Sequence, residues 1–135
     1  METMPVIVQK MYDLVIWLMG KCAKFPRDQR YILGERICDA ALDILENLID
    51  AVFAKDKTEL LRLANKRLER LRFMMRLSKD MRFIDLRAYE FQAKAVNEIG
   101  RMIGGWIKQA QKKETGSAGL KAPESPRPRT RGESV

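Results

Sequence analysis

The fold is decided by residues 57–79, KTELLRLANKRLERLRFMMRLSK, in which apolar side chains return every three or four positions. That spacing places them on one face of a helix. Arginine and lysine fill many of the other positions, so the stretch predicts an amphipathic helix with a basic outer surface. The inward face is predicted to comprise Leu61, Ala64, Leu68, Leu71, Met75 and Ser78.

Three further segments show the same period, at about residues 5–24, 28–54 and 85–113. Asp56 and Asp85 are the predicted N-caps of the third and fourth segments. Because the segments have similar lengths and short connections, we predict an all-α, antiparallel up-down-up-down four-helix bundle. The other inward lines are predicted to be Ile7, Met11, Leu14, Leu18 and Cys22 in the first segment, Leu33, Ile37, Ala41, Ile44, Leu48 and Val52 in the second, and Tyr89, Ala93, Val96, Gly100, Ile103, Ile107 and Ala110 in the fourth.

The domain organisation is predicted to be a bundle over residues 1–113 and a disordered tail over residues 114–135. The tail contains several glycines and three prolines, a composition that does not support a packed core. Three arginines also lie there, between residues 127 and 131. A solvated tail is favoured over an arm that touches nucleic acid.

Composition excludes most catalytic chemistry. The chain has 135 residues, two cysteines and no histidine, so we expect no enzyme activity, no cofactor and no metal. Cys22 and Cys38 do not indicate a disulfide framework. The longest apolar run, residues 14–19, is far shorter than the ~20 residues of a membrane span. We therefore expect a cytoplasmic protein without a membrane segment. The acidic line of the second segment is interpreted as a polar face and comprises Glu35, Asp39, Asp43, Glu46 and Asp50.

The charge is unevenly distributed along the chain. The formal net charge is +8, of which residues 1–54 carry −2, residues 55–113 carry +9 and residues 114–135 carry +1. A positive field concentrated in this way predicts an anionic partner, and nucleic acid is the commonest kind.

Most of the excess lies on the third segment, in what we call the basic ridge: Arg62, Lys66, Arg67, Arg70, Arg72, Arg76 and Lys79. Arg82 and Arg87 extend the charge beyond it. Guanidinium groups bind phosphates bidentately, so the ridge favours binding to a polyanion backbone or a polymerase complex. Two other interpretations stay open. In one, the ridge is an ordinary solvated helix face. In the other, its arginines pair with the acidic line of the second segment, within or between subunits.

Apolar side chains outside the inward lines exceed what one small bundle can bury. Large exposed apolar patches on a soluble chain usually indicate association, so we predict a homo-oligomer. The side chains concerned are Tyr12, Ile16, Met19 and Ala23 on the first segment, together with Trp17, Phe73, Phe91 and Trp106.

Three motifs resemble a known family. They are Phe25-Pro26-x-x-Gln29-Arg30-Tyr31-x-Leu33-Gly34, the stretch LRFMMRL at residues 71–77, and the stretch EIGRMIGGWIK at residues 98–108. The first is similar to a motif shared by the superfamily of ribosomal RNA intervening-sequence proteins. The other two resemble the accessory variability determinant (Avd) of diversity-generating retroelements. Residues 47–51, NLIDA, depart from the NIAEG pattern of the intervening-sequence branch.

The resemblance covers about residues 5–113 and implies a pentameric, ring-like barrel of four-helix bundles with a basic surface. Such proteins have no catalytic site, and they bind the retroelement reverse transcriptase and its template RNA or cDNA during mutagenic retrohoming. By resemblance, Arg72 and Arg76 are the first candidates for binding, followed by Arg101 and Lys108. The alternative is a protein-interaction scaffold, or an intervening-sequence-type bundle, with an acidic partner.

Overall fold

The computed structural model describes residues 4–118, with side chains over residues 4–113. It contains four long helices, numbered here in chain order: Val6–Cys22, Glu35–Phe53, Thr58–Asp80 and Leu86–Ala118. They pack antiparallel, so the predicted all-α four-helix bundle is confirmed. The fourth helix passes its predicted end near Lys113 and continues to Ala118. The rest of the predicted tail, residues 119–135, lies outside the described residues.

The helix boundaries follow from local chemistry. Pro26 separates the first two helices, and the chain then enters the second helix through a helical turn, Arg27–Gln29, and a wider π-helical turn, Arg30–Gly34. Asp85 is confirmed as the cap of the fourth helix, because its Oδ1 accepts the Ala88 N–H at 2.8 Å. Asp56 Oδ1 accepts the Thr58 N–H at 3.2 Å, although Lys57 is the residue directly before the third helix.

The turn between the third and fourth helices is closed by a residue in the left-handed region. Arg82 has φ 65°. The Phe83 N–H donates to Ser78 O at 2.8 Å, and the Arg82 N–H donates to Lys79 O at 2.9 Å. This is the Schellman arrangement, in which glycine usually occupies the left-handed position. The third helix therefore ends in a tight turn that an arginine adopts at an energetic cost.

The core confirms the inward lines of the first three helices, with Val52 half-buried. The line predicted for the fourth helix is partly wrong: Val96 and Ile103 are buried, whereas its other members are half-buried. Two of those members lie at the edge facing the third helix, where Arg72 packs over Gly100 and Lys79 over Tyr89. Over residues 86–113, the fourth helix buries Ala88, Gln92, Val96, Ile99 and Ile103.

Large apolar side chains do lie outside the core, as predicted. Tyr12, Ile16 and Met19 form an exposed stripe on the first helix, and Phe73 is 63% exposed on the third. The rings of Trp17 and Phe91 contact each other, with centroids 5.0 Å apart, and partly cover themselves in this way. Among the helices of residues 4–118, none combines the length and apolarity that crossing a membrane requires.

Candidate nucleic-acid interface

The structure divides the basic ridge between the outer face of the third helix and its two flanks. Arg62, Lys66, Arg70 and Arg76 lie on the outer face and are exposed. Arg67, Arg72 and Lys79 are half-buried beside the neighbouring helices. The sequence prediction that all seven point away from the core therefore needs correction for these three. Each lies within one helical turn of a buried residue, close enough to reach a neighbouring helix.

Arg67 and Arg72 connect the third helix to the helices on either side. The Arg67 Nη1 donates to Oδ1 of the buried Asn47 at 2.8 Å, towards the second helix. The Arg72 Nη1 donates to Asn97 Oδ1, towards the fourth helix. Each guanidinium has five N–H donors, so one such bond leaves others for a ligand. Both arginines therefore have a structural role in addition to any binding role.

The exposed members of the ridge are weakly held. Arg62 lies 3.8 Å from Glu59 and Arg76 lies 3.9 Å from Asp80, and in both pairs the side chains are more than half exposed. Exposed pairs of this kind contribute ~0–1 kcal/mol, so a phosphate can displace the carboxylate at low cost. Within the described residues, Lys66 and Arg70 form no ion pair within 4 Å.

Lys79 and Arg82 are less available than the sequence suggests. The Lys79 Nζ lies 4.8 Å from the Tyr89 ring centroid and 3.6 Å from Asp80 Oδ1, so its charge is already engaged in a cation–π contact and an ion pair. Arg82 is exposed, but its left-handed backbone forms the tight turn after the third helix. Arg87 is exposed on the first turn of the fourth helix.

A second row of basic side chains follows the fourth helix at seven-residue intervals: Arg87, Lys94, Arg101 and Lys108, all exposed. Successive members are about 10.5 Å apart along the axis, seven times the rise per residue. Asn97 contacts the third helix through Arg72. Lys94 and Arg101, three residues before it and four after it, lie on the same side of the helix. We call this the fourth-helix row. Lys94 was missed as a candidate, although its heptad spacing was visible in the sequence.

The acidic line of the second helix forms no ion pair with the ridge within the described residues of the subunit. Glu35, Asp39, Glu46 and Asp50 are exposed and Asp43 is half-buried. In the part of the chain that the structure describes, none of them lies within 4 Å of a ridge cation, and Arg67 reaches this helix through Asn47 instead. Over the same residues, no group of Cys, Asp or Glu side chains is arranged to hold a metal ion.

Comparison with known proteins identifies the relatives of the chain. A family model described as bAvd-like matches residues 5–110. No curated protein sequence matches significantly. The fold is similar to the crystal structure of a protein of unknown function from the S23 ribosomal protein family of Bacteroides thetaiotaomicron. That match has a TM-score of 0.70 and 18% identity, and covers 76% of this chain and 98% of that one. Such a low identity supports the fold alone.

Proposed function

The chain belongs to the bAvd-like family, and on that premise we propose that it is a non-catalytic accessory subunit of a diversity-generating retroelement. It binds the reverse transcriptase and the template RNA or cDNA through its basic surface, and so supports mutagenic retrohoming. One observation carries the proposal. The Arg72–Asn97 bond joins the helix that bears the basic ridge to the helix that bears the fourth-helix row, and within the described residues Arg62 and Arg76 are the only exposed cations of these two sets with an ion-pair partner.

This surface suits a phosphate backbone better than a base sequence. Its exposed cations lie on helix faces and reach outward on long side chains, and phosphate contacts of this kind fix register without reading sequence. Each phosphate that they neutralise releases counterions, so binding weakens as salt is added. The ion pairs of Arg62 and Arg76 are the only ones among exposed ridge cations of the described chain, and both are weak enough to exchange.

Self-association would repeat this surface. The exposed stripe of Tyr12, Ile16 and Met19 faces outward on the first helix. The adjoining second helix carries half-buried Leu42, Leu45 and Ile49. We propose that copies of the chain meet through these apolar side chains as a homo-oligomer, a pentameric ring by family resemblance. A ring presents several basic surfaces at once, and linked weak sites gain avidity without new contacts.

A protein-interaction scaffold is the second candidate, and one observation favours it. Leu63, Phe73 and Leu77 are exposed on the outer face of the third helix, among the ridge cations. A mixed apolar and basic face also fits an acidic protein surface such as one on the polymerase. Pull-down of the reverse transcriptase with and without nuclease separates the two candidates, because a scaffold retains its partner after the nucleic acid is digested.

The salt dependence of RNA binding tests the proposal. We compare Lys66→Gln/Arg70→Gln with Lys24→Gln/Arg27→Gln, a matched pair of exposed cations in the acidic half of the chain. Each lost phosphate contact should lower the slope of log K against log salt by about 0.7 for a single strand. We expect the ridge pair to lower it by about 1.4 and the control pair to leave it unchanged. Equal slopes for both variants would refute the basic ridge as the binding surface.

A further inference from the structure

A groove between the second and third helices joins the basic ridge to the acidic line. Its volume is about 460 Å³. Its lining carries charges of both signs: positive on Arg36, Arg67 and Arg70, and negative on Asp39 and Asp43. The remaining lining residues are Ala40, Phe73 and Met74. No ion pair within 4 Å joins these charges in the described chain. The groove therefore offers donors, acceptors and an apolar surface side by side, all available to a ligand.

Phe73 supplies a free aromatic face. Its side chain is 63% exposed, although it lies in the groove beside the side chains of Arg70 and Met74. Four other rings form pairs: Phe91 contacts Trp17, and Phe25 contacts Phe83 at 5.4 Å between centroids. No such ring contact involves Phe73 within the described residues. An exposed aromatic between arginines is the usual platform on which unpaired bases stack, since every base has a π face.

The carboxylates distinguish a base edge from a phosphate. Asp39 is exposed and Asp43 half-buried, and ionised carboxylates only accept hydrogen bonds. They repel phosphate, so their presence would weaken a surface devoted to backbone contacts alone. They do accept hydrogen bonds from exocyclic amino groups, as Asp and Glu do from the amino group of cytosine. Adenine and guanine carry such a group as well, whereas uracil does not.

The arginines supply the complementary phosphate contacts. Arg67 is held by Asn47 at 2.8 Å, so its guanidinium is positioned before any ligand arrives. Arg36 and Arg70 lie on opposite sides of the groove and have no ion-pair partner among the described residues. Arginine forks match phosphate oxygens bidentately. A nucleotide with its base in the groove can thus place its flanking phosphates on these three residues.

We propose that this groove is a subsite for one unpaired nucleotide of single-stranded nucleic acid. Its base stacks on Phe73 and directs an amino group to Asp39 or Asp43, while the adjacent phosphates contact the arginines. The inference rests on the proposed function and adds two properties to it. Single strands bind in preference to duplexes, whose bases are already stacked and paired, and bases with an amino group bind in preference to uracil.

Fluorescence anisotropy with oligo(A), oligo(C), oligo(U) and a duplex of the same length tests both properties. For Phe73→Leu, which keeps an apolar side chain and removes the ring, we expect single-strand affinity to fall roughly 5- to 150-fold, the range for losing one stacked base. Duplex affinity should not change. Phe53→Leu is the matched control, because Phe53 is 76% exposed at the end of the second helix and lies outside the groove.

The double variant Asp39→Asn/Asp43→Asn separates base recognition from charge. Removing two negative charges should tighten or preserve binding overall, yet the preference for oligo(A) and oligo(C) over oligo(U) should disappear. Unequal changes among the three oligonucleotides support the subsite. An equal change for all three overturns the role of the carboxylates, because a purely electrostatic effect does not depend on the base.

The outcomes also distinguish the subsite from the proposed function. If the wild-type chain binds no nucleic acid in a salt-dependent manner, the proposed function and the subsite both fail. If it binds, but Phe73→Leu matches the wild type or weakens single strand and duplex equally, only the subsite fails. Sedimentation velocity and a reverse-transcriptase pull-down complete the test. A change in oligomeric state, or loss of the polymerase with RNA binding intact, assigns Phe73 to a protein contact and overturns the proposal.

Discussion

Replacing Gly100 by alanine tests how the third and fourth helices are joined beneath the basic surface. A Cβ at this position would lie 2.7 Å from Arg72 Nη2 and 3.4 Å from Leu68 Cδ2. The first distance is too short, so the guanidinium at the end of this flexible side chain must move, and we expect that movement to break the bond from Arg72 to Asn97. The second is a tight contact that a small shift of the leucine relieves.

Two effects of similar size then oppose each other. Alanine in a helix interior is favoured over glycine by ~0.8–1.0 kcal/mol. Losing one hydrogen bond between side chains costs ~0.5–1.5 kcal/mol. We therefore expect Gly100→Ala to change the free energy of unfolding by less than about 0.7 kcal/mol in either direction. Gly104 lies four residues further along the same helix and has nothing within 4 Å of a built Cβ. Gly104→Ala should therefore stabilise the chain by ~0.8–1.0 kcal/mol.

Urea denaturation followed by circular dichroism measures these differences. The sharpest comparison repeats Gly100→Ala in an Arg72→Ala background, where no guanidinium needs to move. There the substitution should recover the full ~0.8–1.0 kcal/mol of helix propensity, so that the two positions couple by about as much as the hydrogen bond contributes. If Gly100→Ala stabilises the chain as much as Gly104→Ala while Arg72 is present, the close approach of Arg72 to the fourth helix is refuted.

Three further predictions concern the turns and the core. Arg82→Gly should stabilise the chain by ~0.5–1 kcal/mol in urea denaturation. Glycine adopts φ 65° without the ~1–2 kcal/mol penalty that arginine bears, and its greater freedom in the unfolded chain offsets ~0.4–1 kcal/mol of that gain. Arg82→Ala should show no such gain. The Lys57 Nζ donates to three carbonyl oxygens at the end of the second helix, at 2.8, 3.3 and 2.8 Å. Lys57→Met should therefore cost about 1–3 kcal/mol, whereas the exposed neighbour Lys55→Met should change little. Burial, with smaller contributions from the neighbouring Cys38, raises the pKa of Cys22 from 9.0 to about 12. A Cys38→Ser variant removes that neighbour and keeps the burial, so at pH 8 Cys22 should still react with iodoacetamide more slowly in the folded chain than in urea, by up to about a thousandfold, since only the thiolate reacts; equal rates would contradict its burial.

The helices were predictable because the spacing of the apolar residues indicates which face of each helix is buried. That worked for the first three helices, whose predicted inward lines are buried apart from the half-buried Val52. It failed in part for the fourth, where Ala93, Gly100 and Ile107 recur every seven residues next to the true buried line. Which of two adjacent lines faces inward depends on the neighbour. Here the side chains of Arg72 and Lys79 on the third helix pack over Gly100 and Tyr89 of the predicted line, and both of these residues are half-buried.

The composition of the candidate surface was predictable, but the division of roles within it was not. Sequence periodicity shows that Arg67 and Arg72 lie at the borders of the buried face. It does not show that Asn47 and Asn97 are placed opposite them, because those partners come from other helices. The groove around Phe73 could not be anticipated for the same reason. Its carboxylates and its arginines belong to two helices whose relative rotation only the folded bundle defines.

This division changes how binding experiments on the two arginines favoured by resemblance should be interpreted. Arg76 is exposed, and its one ion pair, to Asp80 at 3.9 Å, contributes little. Loss of RNA affinity on removing Arg76 would therefore report on the ligand. Arg72 bonds to Asn97 and covers Gly100, so removing it also loosens the contact between the helices that bear the basic ridge and the fourth-helix row. A loss of RNA affinity in an Arg72 variant therefore combines two effects: a missing phosphate contact and a displaced basic surface. Substitutions at Arg76 and the other outer-face cations can therefore test binding without disturbing stability. For Arg72, a binding role follows only when the unfolding free energy of the variant is measured together with its RNA affinity.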